Sequence, residues 1–285
     1  MIEHSVVIPT FNHVKYLPLA IKSILDCERE VEVVIVNDGS TDDTKKYLDT
    51  LSGVKIINQE NSGAHHALNV GIAKSRGKYI SILNDDDLFE TNHLSHAYDL
   101  LSNKISDFVI HRARIIGSGP KFEIMEKHVE VGDAFIDNNG LLGSLFKFNW
   151  SVSTSAFSFS RSLIDKGLSF APLAMNHDLD FLLLAILQFG ARCSYSKEIT
   201  WNYRCHGDNY GDSIKMSQQQ FELAYTLLRS LKLSGKDLTM SEKLSLIDHA
   251  LPASTLHEVE EILLNPAIAC NPMQFRDYLI EKSIA

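Results

Sequence analysis

The strongest constraint on this chain is an alternation within its first hundred residues. Short runs rich in Val and Ile are each followed by a stretch with helical spacing, four times over. Residues 5–9, Ser-Val-Val-Ile-Pro, read as a strand stopped by Pro9, whose ring nitrogen cannot donate to a ladder. In 16–25, Leu17, Ala20, Ile21, Ile24 and Leu25 share one helical stripe. Residues 31–36 are nearly all Val and Ile, the composition of a parallel strand covered on both faces. Asp38-Gly39-Ser40-Thr41 breaks that run, and Ser40 or Thr41 can cap a helix reaching Leu51. A strand over 54–57, a helix over 64–75 and a strand over 79–83 continue the pattern. Such alternation predicts an α/β fold, a parallel sheet with helices on both faces.

The organisation changes near residue 105. Residues 107–116 and 121–125 read as two strands joined by the breaker Gly117-Ser118-Gly119-Pro120. Another strand is expected over 153–160, and short strands over 192–195 and 199–203. Residues 179–187 predict an apolar helix headed by Asp178 and Asp180, and 206–213 a polar loop. Helices are expected over 218–232, 241–249, 255–264 and 273–282. The predicted division is one domain over 1–212, with halves 1–104 and 105–212, then a helical C-terminal region over 213–285. No internal repeat occurs, which excludes a solenoid.

A chain of 285 residues with 45% apolar content can bury a large core. Its 27 basic and 36 acidic residues leave a formal charge of −9, which argues against gripping nucleic acid through phosphates. Cys27, Cys193, Cys205 and Cys270 form no C-x-x-C pair and read as free thiols. No basic stretch opens the chain and no apolar run approaches a membrane span, so a cytoplasmic protein is expected. Loose association with a membrane surface stays compatible with this reading. Oligomeric state leaves no mark in the sequence.

In an open parallel sheet, ligands bind at the carboxyl ends of the strands. Pro9, Thr10, Phe11, Asn12 and His13 follow the first strand, Asp38 ends the second, and Asn84, Asp85, Asp86 and Asp87 follow the fourth. All should fall on one rim. Three adjacent carboxylates repel one another and need compensation. They form either a solvated acidic turn or a seat for Mg²⁺ or Mn²⁺, which takes one or two carboxylates plus phosphates and waters. Neither a P-loop lysine nor G-x-G-x-x-G follows any strand, so a metal would supply the charge a diphosphate needs.

Asp38 suits a turn or cap equally with a hydrogen bond to a base or ribose. Phe11 either stacks on a base or, more simply, closes the core. His65, His66, His93 and His96 lack partners for a soft-metal site and read as exposed helix positions. Asp178 is a helix cap or, partly desolvated, a general base. Arg204 and His206 lie in a loop that is either an ordinary solvated one or able to meet phosphate charge.

Together these pieces resemble family 2 glycosyltransferases of the GT-A fold. The matching stretches are Val6-Val7-Ile8-Pro9-Thr10-Phe11-Asn12, Val34-Ile35-Val36-Asn37-Asp38-Gly39-Ser40-Thr41-Asp42 and Asn61-Ser62-Gly63 through Ala67-Leu68-Asn69 to Gly71. They continue through Ser75-Arg76-Gly77-Lys78-Tyr79-Ile80 into Leu83-Asn84-Asp85-Asp86-Asp87. The resemblance implies inverting transfer of a sugar from a nucleotide diphosphate donor, a UDP-sugar, with Mn²⁺ or Mg²⁺. Pro9, Thr10, Phe11 and Asp38 would cradle base and ribose, with Asn12, Gly63, Arg76 and Asn84 completing the donor side. Asp85 would face the ribose or a metal-bound water, and Asp86 would ligate the metal, with Asp87 as the alternative ligand. Asp178 would be the catalytic base, while Arg204 and His206 would approach the donor phosphates.

The chain departs from the family pattern at Asn84, where an acidic residue is frequent, and at His177, where Glu is common. Phe181-Leu182-Leu183-Leu184 also stands where an Arg is usual. The implied acceptor is a saccharide or lipid-linked saccharide of surface polysaccharide assembly. An inactive nucleotide-sugar-binding protein of the same fold is the competing reading. A sugar nucleotidyltransferase would need a Gly-rich loop after the first strand, and a processive synthase a Q-x-x-R-W element; neither is present.

Overall fold

The computed structural model describes residues 2–207, 214–235, 238, 239, 242, 243, 247, 251–265, 268 and 271–281. The strands are β1 (His4–Thr10), β2 (Glu32–Asp38), β3 (Lys55–Gln59), β4 (Tyr79–Ile82), β5 (Leu88–Phe89), β6 (Phe108–Ile116), β7 (Phe157–Ser160) and β8 (Cys193–Arg204). Between them run α1 (Leu17–Leu25), α2 (Thr44–Leu48), α3 (Ala64–Lys74), α4 (His93–Ser102), α5 (Pro120–Leu145), α6 (Arg161–Asp165) and α7 (His177–Leu187). Helices α8 (Met216–Leu233), α9 (Ala253–Leu263) and α10 (Pro272–Glu281) follow. Among the described residues no helix is long and apolar enough to cross a membrane.

The chain divides into two compact units that interleave along the sequence. One comprises Met1–Val129, Ser151–Gly167 and Ala191–His206. The other comprises Glu130–Trp150, Leu168–Gly190 and Gly207–Ala285.

All eight strands belong to the first unit, in the order β3-β2-β1-β4-β7-β6-β8-β5. β3, β2, β1 and β4 run parallel, as the alternation predicts. β7 then pairs antiparallel with both β4 and β6, and β5 antiparallel with β8. The sheet is therefore mixed, with helices flanking it. Chain order reverses between β1 and β4, so the crevice for a ligand opens where residues 11–13 and 84–87 emerge. Gly71 of α3 allows that helix to lie against the sheet: a Cβ there would come within 2.4 Å of a Val7 methyl.

Beneath α4 the sheet carries a chain of buried polar groups. His4 Nε2 lies 2.8 Å from Ser81 Oγ, which lies 2.7 Å from Ser158 Oγ. His111 Nε2 is 3.2 Å from Ser158 Oγ, and its Nδ1 is 3.3 Å from Thr200 Oγ1. Thr200 Oγ1 in turn meets His93 Nδ1 at 2.9 Å. Hydroxyls, which both donate and accept, let neutral imidazoles be buried with partners. His93 stacks on Phe89 at 3.7 Å and is fully buried, not the exposed helix position expected from sequence.

Three other expectations are corrected. Residues 121–125 are not a strand but open α5: Gly117 and Gly119 take positive φ, and Pro120 starts the helix. Phe122, Met125 and Val129 turn inward at helical spacing, which a five-residue window cannot distinguish from alternation. The strand expected over 153–160 forms only at β7, because Thr154–Ala156 is a 3₁₀ turn whose hydroxyls serve the neighbouring acidic turn. The two short strands over 192–203 are one strand, β8, with a bulge opposite Arg112.

In the second unit α8 packs on α7 and α9, and Tyr225 stacks on Phe275 at 3.9 Å. The expected helices over 218–232, 255–264 and 273–282 are α8, α9 and α10. That over 241–249 lies mostly outside the described residues, as do 208–213 of the polar loop. Cys27 and Cys193 are half-buried free thiols and Cys205 is buried; Cys270 lies outside the described residues.

Candidate active site

The first unit gathers its polar residues at the carboxyl ends of β1, β2 and β4. Pro9 and Thr10 end β1 and are buried, with the Thr10 hydroxyl set against the Asp85 carboxyl. Phe11 is 41% exposed, so it does not close the core and its ring is free to stack. Asn12 adopts a φ of 57°, turning its side chain to accept from Thr41 N at 2.7 Å, while its own N–H donates to Ser40 Oγ at 3.0 Å. This ties the β1 and β2 loops together.

Asp38 is buried at the end of β2. Its Oδ1 accepts from Gln59 Nε2 (2.7 Å) and Ser62 N (2.9 Å), and its Oδ2 from Gly63 N (2.8 Å). A carboxylate has about four acceptor sites, so one remains on Oδ2 for a ligand donor. Gly63, at φ 90°, precedes α3 and is part of this cradle. Arg76 is not brought to the rim. It precedes β4 at the opposite, amino end of the sheet, where its N and Nε donate to Glu32 at 2.7 and 2.8 Å.

After β4, burial alternates through 84–87, leaving Asp85 and Asp87 buried and Asn84 and Asp86 half-buried. Asn84 is locked to the 153–155 turn through Ser153 Oγ, Thr154 Oγ1 and Ser155 Oγ, all within 3.0 Å. Asp87 Oδ2 accepts from Ser155 Oγ at 2.6 Å and Ser153 Oγ at 3.4 Å, and its Oδ1 from Arg204 N at 3.0 Å. Burial, reinforced by the neighbouring Asp86 charge, raises its pKa well above the usual carboxylate value. Asp87 thus braces the 153–155 turn and β8 against the acidic turn.

Asp85 Oδ1 lies 2.7 Å from His13 Nδ1, and the Thr10 hydroxyl also supports its buried carboxyl. Burial raises its pKa, and the His13 hydrogen bond pulls the other way. Asp86 Oδ2 lies 2.9 Å from His206 Nε2, and Arg204 Nε donates to the Asp86 carbonyl at 2.8 Å. Tyr16 stacks on His206 at 4.6 Å, with the Arg204 guanidinium 5.4 Å from its ring. His13 stands on the rim where the sequence put it, although its pairing with Asp85 was not foreseen; Tyr16, Ser153 and Ser155 are the residues that sequence reasoning missed. Tyr16 follows the β1 loop, whereas the two serines lie in a stretch whose alternation read as strand, so neither carried a site signal.

Among the described residues no group of three His, Cys, Asp or Glu converges as a metal cage. The carboxylates nonetheless fit a hard cation that takes one or two protein oxygens. Asp85 and Asp86 are adjacent carboxylates in one turn, each steadied by a histidine.

In the second unit, Asp178 occupies the first turn of α7, where the helix dipole favours a carboxylate. It is 9% exposed, and its Oδ1 accepts from Leu179 N at 2.7 Å. The rest of α7 is apolar and buried, and Phe170 stacks on Phe181 at 3.9 Å.

The family model described as Glycosyl transferase family 2 matches residues 5–168. Glycosyltransferase GlyG of Streptococcus pneumoniae serotype 4 is 36% identical over 112 residues, which are 37% of this chain and 37% of that relative. The structure of S. aureus TarS 1-349 in complex with UDP-GlcNAc superposes over 86% of this chain and 70% of its own, with a TM-score of 0.64 at 18% identity. Mannosyltransferase PcManGT from Pyrobaculum calidifontis, in complex with GDP-Man and Mn2+, covers 99% of this chain and 79% of its own at TM-score 0.59 and 17% identity. The fold is thus the GT-A glycosyltransferase fold that the resemblance implied. With more than half of its length matched, the chain belongs to glycosyl transferase family 2.

Proposed function

We propose that this chain is an inverting, metal-dependent glycosyltransferase. It would move a hexosyl or N-acetylhexosaminyl group from a nucleotide diphosphate sugar, a UDP-sugar, to a hydroxyl of a saccharide or lipid-linked saccharide. The observation that carries this reading is the acidic turn at the point where strand order reverses. Asp85 and Asp86 are held there by His13 and His206, beside Arg204.

The base would stack on Phe11 and hydrogen-bond to Asp38 in the cradle lined by Pro9, Thr10, Asn12 and Gly63. Arg204 and His206 would meet the diphosphate, where charge-assisted hydrogen bonds are strongest. A Mn²⁺ or Mg²⁺ ion, when bound, neutralises charge growing on the leaving diphosphate; Asp86, with Asp85, would hold it. The Asp178 carboxylate takes the proton of the acceptor hydroxyl. The acceptor oxygen forms its bond to the anomeric carbon as the bond to the diphosphate oxygen breaks, and the bonding pair leaves on the diphosphate. Attack from the face opposite the leaving group inverts the centre.

The UDP-GlcNAc bound by TarS supports a UDP-sugar donor, and the Mn2+ of PcManGT supports the metal. The acceptor class follows the habit of the family. We place the reaction in the cytoplasm, at the inner face of the membrane for a lipid-linked acceptor, without nucleic acid. We keep 1–212 as the catalytic portion.

A panel of UDP- and GDP-sugars incubated with Mn²⁺ should show nucleotide release with a UDP-sugar, abolished by chelation. Calorimetry should show UDP binding that weakens without Mn²⁺ and in Asp86→Ala. UDP binding indifferent to both changes would remove the metal assignment, and no turnover of any nucleotide sugar would remove the enzyme reading.

A further inference from the structure

The stretch leading into α7 makes no ladder of its own, so its backbone N–H groups need partners from elsewhere. Two find them on α8. Ala174 N donates to Glu222 Oε1 at 3.1 Å and Met175 N to Glu222 Oε2 at 2.8 Å. Glu222 is 2% exposed, and Gln218 Nε2, one turn earlier on α8, donates to its Oε1 at 2.9 Å. A buried carboxylate persists only when its oxygens are occupied in this way. On the other side of Asp178, the fully buried Asp180 accepts from Arg229 Nη1 at 2.6 Å.

Glu222 and Arg229 are seven residues apart, two turns along one face of α8. They grip the chain three residues before Asp178 and two residues after it. A hydrogen bond between neutral groups would leave the helix start free to swing, whereas a bidentate carboxylate and a buried ion pair fix direction as well as distance.

We propose that Glu222 and Arg229 are positioning residues that hold the start of α7, and with it Asp178, in its working orientation. The inference rests on Asp178 being the base. It gives the helical region after residue 213 a share in catalysis that its sequence does not announce. Misplacing a catalytic group by an ångström costs about 100-fold in rate.

The test is a double-mutant cycle on the full chain, with turnover read from labelled donor and donor binding read by calorimetry. Glu222→Ala should lower kcat at least about tenfold while leaving donor Kd within about twofold, since it acts through Asp178 alone. In an Asp178→Asn background the same change should have no further effect. Glu222→Gln, which keeps one acceptor oxygen, should recover part of the rate, and Arg229→Lys more than Arg229→Ala. If Glu222→Ala does not fold, the cycle is run with Glu222→Gln. An equal loss in both backgrounds, or an unchanged kcat in folded Glu222→Ala, overturns the inference. Full turnover by Asp178→Asn would instead overturn the base assignment, a separate outcome.

Discussion

At the rim of the sheet, His13 and His206 face carboxylates; inside it, His4, His93 and His111 face hydroxyls and one another. The same side chain is set to two tasks by what surrounds it. The rim pair keeps some solvent contact and partners Asp85 and Asp86, where charge can be exchanged with a ligand. The inner three are held neutral. Burial brings His4 and His111 down to about 3, aided by Arg29 near His4 and by His96 near His111. Burial likewise holds His93 well below its ordinary value, with His111, His4 and His96 adding to the effect. The difference teaches that histidine count says little here, because surroundings and not residue type separate the rim pair from the inner three.

The largest effect that could break this contrast is acid lability. A histidine whose pKa is lowered on folding binds its proton only in the unfolded chain. Its stabilising share is therefore complete above pH 6.5 and is lost as pH falls from 6.5 toward 3. Each group contributes about 1.4 kcal/mol per pH unit, so the three should remove roughly 4 kcal/mol between pH 7.5 and 5.5. Urea titrations across that range should show it. His111→Gln should flatten the dependence by about a third, and an unchanged slope would mean the inner chain is not held neutral.

Next in size is Asp87→Ala. It strands two hydroxyls and a backbone N–H, which should destabilise the unit by roughly 3 kcal/mol. Loss of the metal response with normal stability would make Asp87 a ligand and overturn its role as a brace. Asp86→Ala should do the reverse. Turnover should fall about 100-fold, equivalent to some 2.7 kcal/mol, while the thermal midpoint moves by no more than about 2 °C. Smallest is Phe11→Ala. Its exposed ring has little to lose in packing, so donor affinity should drop about tenfold with unchanged stability.

Legibility in the sequence followed the physics of burial. Strands β1 to β4 and helices α1, α3 and α4 were readable because each buries a face whose period appears in the residues themselves. The acidic turn was readable as a candidate site because it directly follows a buried strand, at the rim where ligands bind. The 120–145 stretch was not, because Phe122, Ile124 and Met125 satisfy both periods over five residues, and only Val129, one helical turn on, decides. Arg76 illustrates a different failure. It sits within a matching stretch, yet chain direction puts it at the wrong end of β4.

Sequence by itself determined the alternating strands and helices, the membership of the family, and the position of Asp85 to Asp87 after a buried strand. These rest on local periodicity and on residues close in the chain. Only the tertiary structure decided that Asp87 braces the 153–155 turn and β8, that His13 pairs with Asp85, and that Glu222 grips the chain ahead of Asp178. Each depends on hydrogen bonds between groups 47 to 117 residues apart. A hydrogen bond requires its partners within about 3 Å, and no local pattern encodes which distant donor the folded chain will deliver.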